Sequence, residues 1–451
     1  MTEPRATSAD AAGGAAVETQ RCPQCAAALA GHDRFPVWCP ACEWNLIPSK
    51  RADPARSKRE RRRAVRAERR TESRRRAVRA RTEQVFELVA AGGSNFRDRS
   101  VAAAFALAGL VHLVSLGVLL LALGLVSGLL LPGWPGPVLG VIGLCVAFAL
   151  RPRLGRPERG PNVLARESAP ALYALADRTA AALGTAPVDL IAVDGAFNAG
   201  FGVLGLRRRR QLVIGLPLWA TLTRQQKVAL LGHEFGHGVN RDNRRSLWTG
   251  SAVRALEEWS LLTRPGRVDT RGNLMVVAAA AAAALLLWVV HQGVLGLTEL
   301  MHRLNLRSGQ AAEYRADRLA AGLTSVADTR GMLTGILHSS TVETVILRQR
   351  ALPRPRPGRT GQPAAPDLWQ SLAEATRSIP PIEVERRLRL SERELGAVDG
   401  SHPPTHLRLR MLATAPPPPS DRHPVVLDAA EDAAIEAELA GHRERIARDL
   451  L

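Results

Sequence analysis

The sequence predicts a mainly α-helical chain with a small β-sheet, an α+β domain preceded by a membrane-spanning helical hairpin and a small cysteine-rich unit. Three observations predict this. Residues 101–150 are uncharged and form two apolar runs around one tight turn, residues 160–350 show helical spacing interrupted by two short β-type runs, and two Cys-x-x-Cys pairs fall before residue 46. The 451 residues are enough for one or two domains with a real core, plus extensions. Net charge is +19 and is carried by arginine, since only Lys50, Lys58 and Lys227 are lysines. Together with the abundant alanine, this bias points to a GC-rich, bacterial genome. A balance this basic opens two partner classes, nucleic acid and anionic lipid, and the position of the charge has to choose between them.

Residues 1–20 are rich in Ala, Gly, Ser and Thr and have no apolar h-region, so they are expected to form a disordered tail and not a cleavable signal. Cys22-Pro-Gln-Cys25 and Cys39-Pro-Ala-Cys42 follow, separated by thirteen residues. Two cysteines flanking a tight turn can share one tetrahedral ion, and two such turns complete a four-sulfur site. With Trp38 and Trp44 nearby, residues 21–46 read as a zinc ribbon, too small to fold without its structural zinc. Redox dithiols are the alternative, and two pairs at this distance speak against them. The ribbon is expected to be a module independent of any catalytic site.

Residues 51–95 are dominated by arginine, and the heptapeptide 61–67 recurs unchanged at 74–80. Glu60, Glu68 and Glu72 permit a solvated helix. Contact with RNA or lipid is one reading and a basic juxtamembrane linker the other. The linker is favoured, because positive charge collects beside membrane spans and no aromatics are interleaved to stack bases. Nucleic acid is therefore not the expected partner.

Val101 to Leu131 exceeds the roughly 20 residues that a helical span requires. Pro132–Pro137 forms an uncharged turn, and a second run ends at Leu150 before Arg151, Arg153, Arg156 and Arg159. Charge on both outer flanks and none in the turn places both ends in the cytoplasm. Beyond the hairpin, Pro170–Leu183 has helical spacing with Gly184 as its stop, and Val188–Val193 and Gln211–Ile214 read as strands separated by a Gly-rich stretch at 198–201. Thr223-Arg-Gln-Gln226 is a capping box that opens another helix. Residues 351–366 are a Pro/Arg-rich linker, and 367–451 form a C-terminal helical part ending in a surface helix.

The helix opened at Thr223 contains His233-Glu-Phe-Gly-His237. Histidines four apart share a helical face and can reach one zinc ion, while Glu234 can take a proton from a water that the metal acidifies. Two solvent-facing histidines are the bland alternative for a motif this short. A catalytic zinc needs a third protein ligand, and Glu313-Tyr-Arg-Ala-Asp317 offers Glu313, with Asp317 one turn on to orient a ligand.

These pieces, with Asn198-Ala199, the continuation to Asn240-Arg-Asp242 and Ser401-His-Pro-Pro-Thr405, resemble in kind and order the HtpX-like zinc metallopeptidases, gluzincins related to the CAAX prenyl endopeptidases, over about residues 100 to 415. The resemblance implies a zincin-like catalytic domain, a catalytic zinc held by His233, His237 and Glu313, Glu234 as general base, and Asp317 behind the ligands. It also suggests His402 and Arg408 near the site as stabilisers of an oxyanion, and Asn198 beside an edge strand that pairs with extended substrate. The family often has Arg three or four residues before the Glu ligand, where this chain has Gln310 and Gly309.

One constraint comes from Leu274–Leu297, which is apolar enough to span a bilayer and lies between the histidines and Glu313. A single crossing would separate the ligands. The favoured arrangement is a long helix that leans on or partly enters the membrane without crossing. The expectation is a multi-pass zinc endopeptidase of the cell membrane with a cytoplasmic catalytic domain, one catalytic and one structural zinc, and protein or peptide substrates that include membrane proteins. A catalytically silent zinc-binding scaffold and a nucleic-acid-binding membrane protein are the rivals.

Overall fold

In the computed structural model the described residues are 20–48, 58–91, 99–152, 154–239, 242–266, 273–352, 367–393, 402–414 and 424–451. The expected tail, most of the 351–366 linker, and positions 240–241 and 401 of the quoted motifs lie outside them. The chain is mainly helical with two small sheets, as its periodicity predicts.

Strands β1 (Gln20–Arg21) and β2 (Ala28–Leu29) pair antiparallel around the first cysteine turn. Both Cys-x-x-Cys turns close alike. Ala26 N donates to Cys22 O and Glu43 N to Cys39 O, and Ala26 and Glu43 take φ of +59° and +60°. Helix α1 (Lys58–Ala90) exposes Arg66, Arg69, Arg76 and Arg79, but its last turns bury Thr82, Val85 and Phe86. That end is no linker; the apolar spacing of Val85, Phe86 and Val89 seats it against the helices that follow.

Helices α2 (Arg99–Val126) and α3 (Pro135–Leu150) form the expected hairpin. Gly140 and Gly143 let them touch, since a β-carbon at either would lie within 3 Å of Val126 or Ala122. Strand β3 (Val163–Leu164), helix α4 (Pro170–Ala182), and strands β4 (Leu190–Asp194), β5 (Ala199–Leu204) and β6 (Arg209–Gly215) come next. Gly184 ends α4 with φ +69°, the left-handed turn a helix stop uses. The sheet order is β3-β4-β6-β5, with β4 and β6 parallel and the outer pairs antiparallel. The Gly-rich stretch read as a separator is thus the edge strand β5; Gly200 and Gly202 hide its alternation, while Phe201 packs edge-on against Phe235 at 5.5 Å.

A short α5 (Leu216–Trp219) leads to α6 (Arg224–Val239), where half of the capping box forms: Thr223 N donates to Gln226 Oε1 at 3.1 Å. Helix α7 (Asp242–Leu262) precedes α8 (Leu274–Leu323), an unbroken 50-residue helix capped by Asn273. The apolar stretch 274–297 is its first half and Glu313 lies in its second. By length and composition α8 and residues 100–126 of α2 could each cross a bilayer, whereas α3, with 16 residues, is shorter. Helices α9 (Val326–Ile336), α10 (Ser339–Ala351), α11 (Leu368–Arg377), α12 (Pro381–Arg393), α13 (Thr405–Thr414) and α14 (Ala429–Leu450) complete the chain.

Two cores result. The larger joins α4, the sheet, α6, the end of α8, α9, α13 and α14 around Leu212, Ile214, Trp219 and Leu231. The smaller joins α2, α7 and the middle of α8 through Ala108, Val111, Ala255, Leu256 and Met301. Outside this second core, α2, α3 and the first half of α8 present large apolar side chains outward, among them Leu113, Phe148, Leu286 and Val289.

Candidate active site

Helices α6 and α8 cross where both carry small residues. A β-carbon on Gly232 would lie 3.3 Å from Ala320 Cα, and one on Gly236 would lie 2.9 Å from Ala316 Cα. This four-residue repeat of small side chains on each helix brings the backbones together and sets His233 and His237 opposite Glu313. Sequence reading used the histidines and passed over the two glycines, although their i, i+4 spacing was visible.

The donor atoms converge. His233 Nε2 and His237 Nε2 are 3.3 Å apart, and each lies 3.4 Å from a Glu313 oxygen. A tetrahedral ion with bonds of about 2.0–2.1 Å needs donors about 3.3–3.4 Å apart, so the two nitrogens and the Glu313 carboxylate, whose Oε2 faces His233 and Oε1 faces His237, are spaced to fit such an ion. Glu313 Oε2 is buried and completes no hydrogen bond, although His402 Nδ1 approaches it to 2.8 Å; that nitrogen is itself without a hydrogen bond. His233, Glu313 and His402 also form a set close enough to hold an ion. His233 and Glu313 are buried, while a quarter of His237 is exposed, so the centre opens on that side.

Behind the donors lies a buried carboxylate–arginine pair. Arg408 Nε and Nη2 donate to the two Asp317 oxygens at 2.8 and 2.7 Å, and Asp317 Oδ1 is 2.9 Å from His233 Nδ1. A proton on Nδ1 shared with Asp317 leaves Nε2 unprotonated and free to bind metal. The fork of Arg408 is filled by Asp317, and its Nη2 also lies 3.2 Å from His233 Nδ1, so this arginine grips the back of a ligand. Of the two residues expected to face an oxyanion, His402 is the one with an unengaged ring nitrogen and partial exposure.

Charge follows the same arrangement. Burial raises Asp317, but the Arg408 charge and hydrogen bonds outweigh it and bring the carboxyl down to about 2. Burial and Arg408 push His233 down, yet Asp317 and Glu313 prevail and raise it to about 10. Burial and the neighbouring His233 lower His237. The two buried carboxylates thus favour positive charge at His233, and His237 beside it does not share that charge.

Glu234 is buried on α6 between the two histidines, and its charge is felt at both His237 and Arg408. Asn198 is exposed just before the edge strand β5, with its carbonyl accepting from Gly215 N at 2.8 Å. It is not among the converging groups. Gln310, in the place of the family's arginine, is buried and donates to Thr82 Oγ1 of α1 at 3.4 Å, so a neutral contact replaces a salt bridge there.

The four cysteines form a second donor set. Cys22 and Cys42 sulfurs are 3.6 Å apart, Cys25 and Cys39 3.5 Å, and all four lie within 4.8 Å of one another. Tetrahedral Zn–S bonds of about 2.3 Å need sulfurs about 3.8 Å apart, close to what the turns provide.

Neither a curated protein nor a solved structure matches the chain. Residues 169–415, more than half of its length, match peptidase family M48. The matched span takes in α6, the whole of α8 and α13, hence every donor at the crossing and the pair behind it, and leaves out the ribbon, α1 and the hairpin. The chain belongs to peptidase family M48, the zinc metallopeptidases.

Proposed function

We propose that the protein is a membrane-anchored zinc endopeptidase with a cytoplasmic catalytic domain that cleaves protein substrates, membrane proteins among them. The observation that carries this reading is the spacing of His233 Nε2, His237 Nε2 and Glu313 on two crossing helices, with Glu234 one residue after the first histidine. Zinc held there supplies Lewis acidity and makes water nucleophilic near neutral pH. Glu234 accepts the proton of the attacking water and delivers it to the leaving amine. Asp317, itself fixed by Arg408, holds the His233 ring in the tautomer that presents Nε2 to the metal. His402 is placed to donate to the developing oxyanion, while Arg408 acts through Asp317. The free edge of β5, which packs beside α6, suits an extended peptide paired as a further strand, with Asn198 at its start. The outward apolar faces of α2, α3 and α8 support anchoring in a bilayer.

Side-by-side amide variants test the assignment. Glu234→Gln is expected to keep its catalytic zinc and lose about 100- to 10,000-fold in turnover of casein or a model membrane protein, the usual worth of general-base assistance. Glu313→Gln is expected to lose zinc itself, because a charged donor is gone. Wild-type cleavage by the Glu234 variant would sink the mechanism. A zinc-loaded wild type inert on every substrate would favour a scaffold instead.

A further inference from the structure

The ribbon does not float free of the catalytic domain. It is seated on α12, and the contacts come from its second cysteine turn and the residues around it. Trp38, 2% exposed, donates from Nε1 to Ile382 O at 3.2 Å. Arg389 donates to Pro40 O, inside the Cys39–Cys42 turn, at 2.6 Å and stacks over the Trp38 ring at 5.1 Å. Arg386 donates to Leu46 O at 3.0 Å, and Glu43 pairs with Arg393.

The grip continues through α12. Buried Glu383 accepts from Arg386, which faces the ribbon, and from Arg387, whose other nitrogens reach Leu337 O and Thr341 Oγ1 on the catalytic side. Leu388 of α12 packs against the larger core, to which α13 contributes Leu409 and Leu412. Helix α13 carries Arg408, which fixes Asp317 and through it His233, and follows His402.

A unit of this size buries little beyond Cys22, Leu29, Trp38, Cys39 and Leu46, so its turns depend on bound metal for their shape. The surfaces offered to α12, above all Pro40 O and Trp38, are set by the same turn that supplies Cys39 and Cys42. We propose that the metal-loaded ribbon is a positioning element of the peptidase. Through Trp38 and the Cys39–Cys42 turn it holds α12, and through α12 the helix that orients the zinc ligands. The proposal rests on the peptidase reading above and replaces the expectation of two independent modules.

The full-length protein can be tested for zinc per chain, for kcat and KM on a casein-derived peptide, and for the rate at which a chelator strips the catalytic zinc. Trp38→Ala leaves all seven metal donors in place, so it is expected to retain both zincs. Its kcat should fall about tenfold with little change in KM, and catalytic zinc should leave about tenfold faster, as when outer partners of metal ligands are lost. Cys39→Ser should lose one zinc and show the same kcat defect, and Cys39→His, which restores a donor zinc accepts, should recover it. Arg389→Ala offers a milder cut of the same contact should either variant fail to fold. Trp38→Ala with both zincs and wild-type kcat overturns the proposal. If the wild type has no peptidase activity, the parent reading fails on its own, and zinc release then decides: an unchanged rate in Trp38→Ala overturns the coupling, and a faster one supports it.

Discussion

A β-carbon is the smallest side chain a helix can add, and at the α6–α8 crossing it separates two glycines that look alike in sequence. At Gly232 an added methyl meets first the flexible end of Leu323, at 3.0 Å; at Gly236 it meets the Cα of Ala316, at 2.9 Å, which only a shift of α8 can relieve. Both substitutions gain helix propensity, worth up to about 1 kcal/mol. Gly232→Ala is therefore expected to be near neutral in denaturant unfolding. Gly236→Ala should destabilise by about 1–3 kcal/mol, the usual cost of overpacking. Because Glu313 lies one turn before Ala316, the same variant should also weaken zinc binding in a chelator competition. Equal behaviour of the two variants would mean that the helix crossing is looser than its contacts. The metal donors were legible from His-Glu-x-x-His and Glu-x-x-x-Asp, since spacing alone fixes which side chains share a helical face. The glycines were not, because their meaning depends on Ala316 and Ala320, some eighty residues away.

Elements were legible where a single periodicity governed them. The hairpin, α4 with its glycine stop, α6, and the central strands β4 and β6 follow from apolar spacing and caps. Strand β5 escaped because glycines erase alternation, and α7 because Arg254, Glu257 and Glu258 sit within a helix whose buried alanines carry little signal. The end of α1 escaped because the arginines before it dominate the composition. Yet Phe86, 2% exposed, meets the Tyr314 ring edge-on at 5.8 Å and lies under Arg410 at 4.6 Å, next to the residue that follows Glu313. Phe86→Ala should cost about 3–5 kcal/mol by the usual measure of a buried aromatic and should also speed zinc release. Val78→Ala, on the exposed part of the same helix, should do neither. If thermal unfolding and zinc release of Phe86→Ala match those of Val78→Ala, α1 is only a tether.

At the scale of the molecule, the geometry of α7 and α8 bears on the proposed membrane anchoring. Thr263, just past the end of α7, touches His291 of α8 at 3.2 Å. Leu274, where α8 begins, is seventeen residues earlier on that helix, about 26 Å along its axis at 1.5 Å per residue. Thr263 and Leu274 are therefore far apart in space, and between them the sequence carries Arg264, Arg267, Asp269 and Arg271. Were α8 to stand upright across a bilayer, these charges would pass through hydrocarbon, at about 2.5–3.5 kcal/mol each near its centre. An apolar half that leans on or partly enters the bilayer avoids this and keeps Glu313 on the side of the histidines, sixteen residues past Leu297. The hairpin has no such difficulty, because Pro132–Pro137 carries no charge to be exposed or hidden. Topology reporters fused after Ala90, Arg159, Arg271 and Leu304 should therefore all read the cytoplasmic side, and one after Trp134 the opposite side. A reporter at Arg271 that sides with Trp134 would mean that α8 crosses, that its charged connection passes the bilayer with it, and that the hairpin and α8 span the membrane together.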